Sequence, residues 1–180
     1  MSTQYTDIHQ HWIEGCRQGD RKAQKEIYRL YAKGMLNVSM RILNEMTEAE
    51  DVLQEAFVDM FKKIHTFKGE SSFGAWFKRI IVNKSINQLK KRKTYQKMIA
   101  QYEPPEEVVA EAMEVASWHL ERVQKGIKEL PDGFRTVLTL YLIEEYSHKE
   151  IAQALGITES TSKSQLNRAK TKLRNWLKEH

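Results

Sequence analysis

Apolar side chains along the chain recur at intervals of three and four residues, which is the spacing of one face of an α-helix. The clearest case lies between residues 47 and 64, where Thr47 and Glu50 are spaced as a capping box at the start. The apolar face of this segment is Ala49, Val52, Leu53, Ala56, Phe57, Met60, Phe61 and Ile64. No segment alternates convincingly as a strand does, so the pattern predicts an all-α protein.

Two shorter helices are predicted before this one. Asp20 is placed to cap the first of them. The inward residues are Ala23, Ile27, Leu30 and Tyr31 in the first helix, and Met35, Leu36, Val38, Ile42 and Leu43 in the second. Beyond the 47–64 helix, residues 65–72 indicate a loop, with Gly69 for the bend and serines that can cap the next helix, from Phe73 to about Arg92.

An abrupt change of composition follows this basic helix. Between Gln101 and Ser117 there are five glutamates and no basic residue, and Pro104-Pro105 stiffens the start of the segment. Helical spacing resumes at Trp118, and the helix after Pro131 is expected to face inward with Phe134, Val137, Leu138, Tyr141 and Leu142. We therefore predict two small helical domains, residues 1–97 and 118–180, joined by a flexible acidic linker at 98–117.

Residues 146–170 predict a helix-turn-helix in the second domain. Ser147 and Glu150 form a capping box, Gly156 permits the left-handed turn that ends the first helix, and Thr158 caps the second. The inward residues of the second helix are Leu166, Ala169 and Leu173. The candidates for contacting DNA are Ser160, Thr161, Lys163, Ser164, Gln165, Asn167 and Arg168.

The distribution of charge supports a nucleic-acid partner. The chain has a formal net charge of +5, and residues 146–180 hold seven Lys or Arg against three Glu. Such a surplus on one helical module is typical of phosphate binding. The alternative is a pair of ordinary amphipathic helices with a solvated basic face, which the agreement of caps, glycine and apolar spacing disfavours.

The polar face of the 47–64 helix is acidic, which is unusual in a basic protein. Asp51, Gln54, Glu55 and Asp59 recur there at three- and four-residue intervals, opposite the apolar residues. For an isolated helix, a solvated face would be the ordinary interpretation. Because a surface facing DNA would not be acidic, docking to a separate basic protein is the sharper hypothesis.

Aromatic and basic residues interleave in the helix that begins at Phe73, a combination suited to single-stranded nucleic acid. Most of these aromatic rings are expected to lie in the core. The polar side chains on one helical side are harder to explain as core, because Asn can pair with base edges and Arg with phosphate or guanine. The candidates here and in the preceding loop are Lys68, Trp76, Arg79, Asn83, Lys84 and Asn87.

Several function classes are disfavoured. No Ser or Cys nucleophile is paired with a local His, and no glycine-rich phosphate loop is present, so we predict no enzyme, no catalytic residue and no cofactor. Cys16 is the single cysteine, and with His9 and His11 it does not make a closed zinc site, so no metal is expected. The chain has no apolar run of about 18 residues, so we expect a cytoplasmic protein without membrane insertion.

Taken together, these segments resemble bacterial RNA polymerase sigma factors of the extracytoplasmic-function (ECF) type, over about residues 10–178. The run from Ala49 to Phe57 is similar to the helix that docks on the polymerase clamp. The pattern Phe73-x-x-Trp76-Phe77-x-Arg79-Ile80-x-x-Asn83 resembles the segment that melts and reads the minus-ten promoter element. The run from Leu130 to Ala169 resembles the domain that reads the minus-thirty-five element.

The resemblance implies a dissociable specificity subunit whose partners are core RNA polymerase, promoter DNA and an anti-sigma factor. Asp51, Gln54 and Glu55 would meet the polymerase, and the acidic linker would lie in its RNA channel, where glutamates mimic RNA phosphates. The chain departs from the family at Asn87, where Asp is common, and at Ser162, where a branched aliphatic residue is common.

Two other classes of protein remain as alternatives. A helix-turn-helix regulator with an N-terminal sensing domain should dimerise and read palindromic duplex sites. It would not explain the acidic helix face or the linker. An anti-sigma-like adaptor that merely binds polymerase is the third possibility.

Overall fold

A computed structural model describes residues 8–99 and 120–180, and these residues form helices without any strand, which confirms the predicted all-α class. The helices are α1 (Gln10–Arg17), α2 (Arg21–Leu43), α3 (Met46–Lys63), α4 (Phe73–Ile99), α5 (Leu120–Lys128), α6 (Asp132–Leu142), α7 (His148–Leu155) and α8 (Glu159–Glu179), with a 3₁₀ turn at Ile64–Thr66. The chain divides into two compact units, Met1–Gln88 and Leu89–His180. The domain boundaries at 97 and 118 stay a prediction, and most of the acidic linker lies outside the described residues.

The first helix of the chain, α1, was not predicted. It is only eight residues long, with Ile13 and Cys16 buried on one face. Two buried residues three positions apart are too few to distinguish a helical pattern from chance. Asp20 caps α2 as predicted, and its carboxylate accepts a hydrogen bond from the backbone N–H of Lys22 at 2.9 Å.

The two short helices predicted before residue 47 are in fact the single helix α2. Ile27, Met35, Val38 and Ile42 are buried on its inward face, and the half-buried Tyr31 continues the three- and four-residue spacing between Ile27 and Met35. Asn44 then ends the helix in a left-handed conformation, with φ of 56°.

The predicted capping box at the start of α3 is wrong. The N-cap residue is Glu45, whose carboxylate accepts hydrogen bonds from the backbone N–H groups of Thr47 and Glu48, at 3.0 and 2.6 Å. A carboxylate at this position satisfies two N–H groups and complements the helix dipole, so it competes well with the hydroxyl of Thr47. The predicted apolar face of α3 is buried from Ala49 to Met60.

Packing of α2, α3 and α4 makes the core of the N-terminal unit. Phe57 meets Phe77 edge to face, with ring centroids 4.8 Å apart, and Phe73 is completely buried beside them. One polar pair lies within this core, where the hydroxyls of Ser39 on α2 and Ser85 on α4 are 3.1 Å apart. Because each hydroxyl has a partner, neither leaves an unsatisfied group in the apolar interior.

In the C-terminal unit, α6 is the central helix and is buried from Arg135 to Leu140. Two residues predicted to face inward lie instead at its exposed end, since Tyr141 is 37% and Leu142 50% exposed. Burial of Arg135 is possible because its guanidinium donates to the backbone oxygen of Leu130 at 2.8 Å and also pairs with Asp132. Within the described residues, no helix is long and apolar enough to cross a membrane.

Candidate polymerase and nucleic-acid surfaces

The acidic face of α3 is solvent-exposed at three of its four predicted positions. Asp51, Gln54 and Glu55 are exposed, whereas Asp59 is half-buried. Val58 lies on the same face, one turn after Gln54 and Glu55, and is 51% exposed, so an apolar side chain adjoins the acidic face. An apolar centre with a charged rim is the usual composition of a protein-docking surface.

Lys84 does not join the other polar residues of α4 on an open surface. Its ammonium is 3.1 Å from a carboxylate oxygen of Glu55 and 3.1 Å from one of Asp59, both on α3. The grouping of Lys84 with Arg79, Asn83 and Asn87 was therefore wrong as geometry, because a long side chain can bend toward opposite charge on a neighbouring helix. Its predicted contact with DNA stays a prediction.

This ion-pair cluster shifts the protonation of its members. The hydrogen bond from Lys84, aided by the charges of Lys84, Lys63 and Lys62, lowers the pKa of Asp59 although burial opposes the shift. Burial would lower the pKa of Lys84, but hydrogen bonds to Asp59 and Glu55 outweigh it and raise that pKa. Both groups are charged at neutral pH, and the cluster ties α3 to α4.

Three of the predicted DNA-contacting residues form an open line along α4. Arg79, Asn83 and Asn87 are all exposed and are spaced four residues apart, so they lie on successive turns of one side. Trp76, one turn earlier, is half-buried. Its ring centroid lies 5.4 Å from that of Phe67 and 5.6 Å from that of Phe73. Trp76 thus packs partly into the core and is partly exposed at the surface.

The loop before α4 is held at both of its ends. Phe67 is buried, and its backbone oxygen accepts a 2.6 Å hydrogen bond from the guanidinium of Arg17 on α1. At the other end, the hydroxyl of Ser72 accepts a hydrogen bond from the backbone N–H of Ala75 at 3.2 Å and so caps α4. Lys68 is exposed between these ends, and Gly69 makes the bend with φ of 74°. The predicted loop and its serine cap are confirmed.

The helix-turn-helix has the predicted caps and turn. Ser147 and Glu150 form the capping box of α7, Gly156 ends α7 with φ of 71°, and Thr158 accepts a hydrogen bond from the backbone N–H of Thr161 at 3.1 Å. The candidate residues of α8 divide by exposure. Fully exposed are Ser160, Lys163, Ser164, Asn167 and Arg168, and half-buried are Thr161 and Gln165. The second helix therefore presents a polar, basic face, as predicted.

Ser162, the departure from the family pattern in this helix, is completely buried and has a partner. Its hydroxyl lies 2.9 Å from Nδ1 of His148, the first residue of α7. The ring of Tyr141 on α6 stacks on that imidazole, with centroids 4.5 Å apart. A hydroxyl at this position thus joins the two helices of the motif, a role that spacing alone did not indicate.

The cysteine and histidines near the N-terminus do not form a metal site. No group of three or more His, Cys, Asp or Glu side chains in the described part of the chain could hold an ion. Nδ1 of His9 is hydrogen-bonded to the hydroxyl of Tyr31, at 3.0 Å. Burial, together with the charge of Asp20, raises the pKa of the Cys16 thiol to about 11, so the sulfur is protonated and unreactive at neutral pH.

Comparison with known families matches both units. The description Sigma-70 region 2 matches residues 27–95, and Sigma-70, region 4 matches residues 120–173. The first match covers α3, the loop and the exposed line of α4. The second covers the helix-turn-helix up to Leu173. The three candidate surfaces therefore fall within recognised sigma-factor regions.

Whole-chain relatives agree with these matches. The ECF RNA polymerase sigma factor SigW of Bacillus subtilis is 30% identical, over 93% of this chain and 95% of its own length. The RNA polymerase sigma-H factor of Pseudomonas aeruginosa is 29% identical, over 94% of this chain and 93% of its own. A similar fold occurs in the Bartonella quintana sigma factor RpoE, solved with the anti-sigma factor NepR, at a TM-score of 0.59 and 23% identity, covering 86% of this chain and 96% of that one.

Neither alternative class accounts for this agreement. A dimeric helix-turn-helix regulator or a polymerase adaptor would share one region with these relatives, whereas here both regions match in order along the chain. The expected function, recognition of promoters and initiation of transcription with core RNA polymerase, is confirmed. The protein belongs to the ECF sigma factors of bacterial RNA polymerase.

Proposed function

We propose that the three surfaces divide the work of initiation, with α3 docking on core polymerase, the loop and α4 opening the minus-ten element, and α8 reading the minus-thirty-five element. The observation that carries the proposal is the separation of charge. The exposed candidates on α3 are acidic or uncharged and adjoin an exposed valine, whereas the exposed candidates on α8 are basic or uncharged. Like charges would repel the phosphate backbone from α3, so that face suits a protein partner.

Docking on polymerase would use Asp51, Gln54 and Glu55 around Val58. Asp59 contributes less, because its side chain is half-buried whereas that of Glu55 is exposed, although Lys84 is 3.1 Å from both carboxylates. Charged groups on the rim of an interface chiefly speed association and select the partner, while the apolar centre supplies affinity. This division makes core binding sensitive to salt and to charge reversal.

Promoter opening would use the loop residue Lys68 together with Trp76, Arg79, Asn83 and Asn87. A base pulled out of the duplex loses stacking and pairing worth a few kcal/mol, which interactions with the protein must offset. A partly exposed aromatic ring can stack on a base, and neighbouring amide side chains can hydrogen-bond the edge of that base. Asn87 keeps the amide chemistry without the charge that Asp would place near DNA.

Duplex reading would use the exposed face of α8. Lys163 and Arg168 suit phosphate or guanine, whereas Ser164, Gln165 and Asn167 suit base edges. Ser160 and Thr161 lie at the helix N-terminus, where backbone N–H groups and the dipole attract phosphate. The protein is then a binding subunit rather than an enzyme, and it acts in the cytoplasm, where polymerase and promoter DNA are found.

An anti-sigma factor is the expected regulator. The Bartonella quintana relative was solved in complex with the anti-sigma factor NepR, and CnrH, at a TM-score of 0.56, with the cytosolic domain of CnrY. A protein that covers the α3 face or the α8 face of this chain would prevent polymerase or promoter binding.

Run-off transcription tests the proposal as a whole. Purified core polymerase is supplied with a random promoter library, with and without this protein, and the transcripts are sequenced. Enrichment of one two-part promoter only in the presence of the protein is the expected result. Transcription that is unchanged by the protein would contradict the proposal.

A further inference from the structure

The loop that leads into α4 is tied to the N-terminal helix by one side chain. Arg17, the last residue of α1, donates through Nη2 to the backbone oxygen of Phe67 at 2.6 Å. Its Nη1 is held by the carboxylate of Glu14, one turn earlier, at 3.1 Å. The guanidinium is thus oriented by its own helix and bonds a residue 50 positions away in sequence.

Phe67 is the residue that fixes the start of the loop. Its side chain is 4% exposed, and its ring packs edge to face on Phe73 with centroids 5.5 Å apart. It also contacts Trp76, whose partly exposed ring adjoins the line of Arg79 and Asn83 on α4. A shift of Phe67 would therefore move both Lys68 and the indole of Trp76.

We propose that Arg17 is a positioning residue for promoter opening, which it serves by holding this loop in one conformation before DNA arrives. This inference rests on the proposed role of the loop and α4. A loop that is ordered in advance does not lose conformational entropy again when a base binds, so the base is held more tightly. Arg17 lies outside the residues matched by Sigma-70 region 2, so the family match does not assign it a role.

The chemistry of this hydrogen bond favours Arg over other residues. The planar guanidinium can hold Glu14 with one nitrogen and the Phe67 oxygen with another, whereas a Lys ammonium is a single point with less directional preference. Hydrogen bonds to charged groups are stronger than neutral ones, and loss of the donor leaves a part-buried carbonyl without this partner. The side chain is 29% exposed, so its removal opens no cavity in the apolar core.

The test compares Arg17→Met, which removes the donor, with Arg17→Lys and with Arg29→Met as a matched control, because Arg29 also pairs with a Glu three residues earlier but is exposed on α2. Each full-length variant is bound to core polymerase on the promoter recovered by run-off selection. Permanganate reactivity of unpaired thymines measures opening, on duplex DNA and on a template premelted at the minus-ten element. We expect Arg17→Met to lower opening of the duplex by about tenfold, Arg17→Lys to restore part of it, and Arg29→Met to stay near wild type.

Core affinity and the premelted template separate positioning from general damage. If Arg17 positions the loop, core affinity stays within about twofold and the premelted template largely removes the defect. Normal duplex opening by Arg17→Met, or an equal loss on both templates together with weaker core binding, would overturn the inference. If wild-type protein opens no promoter, or Asn83→Ala opens it normally, the proposed role of the loop and α4 is at fault instead.

Discussion

The two candidate DNA-contacting regions are held in place by hydrogen bonds of different range. In α8 the decisive hydrogen bond joins Thr158 to Thr161, three residues apart. In the N-terminal unit, Lys84 donates a hydrogen bond to Glu55, which is 29 positions away in sequence, and Arg17 donates one to Phe67, which is 50 positions away. The recognition helix is therefore defined locally, whereas the loop and α4 depend on neighbouring helices. Variants in the two regions should fail in different ways.

Reversing the acidic face of α3 should produce the largest effect. In Asp51→Arg with Glu55→Arg, two rim charges that attract a basic partner become repulsive, and the new positive charge at position 55 also faces Lys84. We expect core affinity to fall by about a hundredfold, equivalent to about 2.8 kcal/mol, in a fluorescence titration. The fold should be kept, because both residues are exposed and the exposed ion pair between Glu55 and Lys84 contributes little to stability.

The matched control carries the same change of charge far from α3. Glu121→Arg with Glu179→Arg alters two exposed positions of the C-terminal unit. Core affinity should then remain within a few-fold of wild type. Equal losses in the two double variants would show that net charge, rather than the α3 face, governs docking.

Asn83 provides the next test, directed at α4. Asn83→Ala removes an exposed amide and no buried side chain, so the fold and the closed complex should be unaffected. If the amide bonds an extruded base, promoter opening should fall about tenfold, with recovery on a premelted template. Permanganate footprinting measures both. Full opening on duplex DNA would remove Asn83 from the mechanism.

For the locally defined region, Lys163→Ala and Arg168→Ala should weaken binding to the minus-thirty-five element by several-fold. Removal of one phosphate interaction should reduce the slope of log affinity against log salt by about 0.9. A decrease that is equal on all sequences marks a phosphate interaction, and a base-selective decrease marks readout. Lys178→Ala, exposed at the far end of α8, is the control. If binding by both variants matches this control, the orientation assigned to α8 is wrong.

The difference in sequence separation between these hydrogen bonds also explains which features could be predicted from the sequence. The Ser147 capping box, Gly156 and Thr158 were all located correctly, because each depends on residues within a turn of itself. The position of the Lys84 side chain beside α3 was not predicted. Periodicity indicates the helix face on which a Cβ lies, but not the position of the end of a long side chain.

Competition between near-equivalent groups caused the other errors. Glu45 rather than Thr47 caps α3, and both residues have a side chain that can accept from backbone N–H groups. Tyr141 and Leu142 follow the apolar spacing but are exposed as the last two residues of α6, because the part of a helix that is covered depends on tertiary packing. The surfaces were thus predicted as faces of helices, but not the contacts between helices that orient them.

Ser162 tests whether the local region has one long-range interaction of its own. Ser162→Val supplies an aliphatic residue of the kind common in the family but leaves Nδ1 of His148 without this partner. We expect a decrease of about 1 kcal/mol in the free energy of unfolding, measured by urea denaturation. Ser162→Thr keeps the hydroxyl and serves as the control. In a His148→Phe background, Ser162→Val should lower the free energy of unfolding by much less. An equal decrease in both backgrounds would show that the two side chains are not coupled.

The smallest expected effect concerns the ion-pair cluster of Lys84, Glu55 and Asp59, and here protonation is more informative than stability. Lys84→Met should cost less than about 1 kcal/mol at pH 7, because the pair is partly exposed and screened. The depressed pKa of Asp59 means that its contribution is present above its unfolded pKa and is lost as pH falls through the folded value. The raised pKa of Lys84 means that its contribution is lost as pH rises through the folded value.

In Lys84→Met the pKa of Asp59, followed by NMR titration of its carboxyl carbon, should rise toward the ordinary value of about 3.9. Lys78→Met, on α4 but outside this cluster, should leave it unchanged. An Asp59 pKa that stays depressed without Lys84 would assign the shift to Lys62 and Lys63 on α3 itself rather than to the ion pair between α3 and α4.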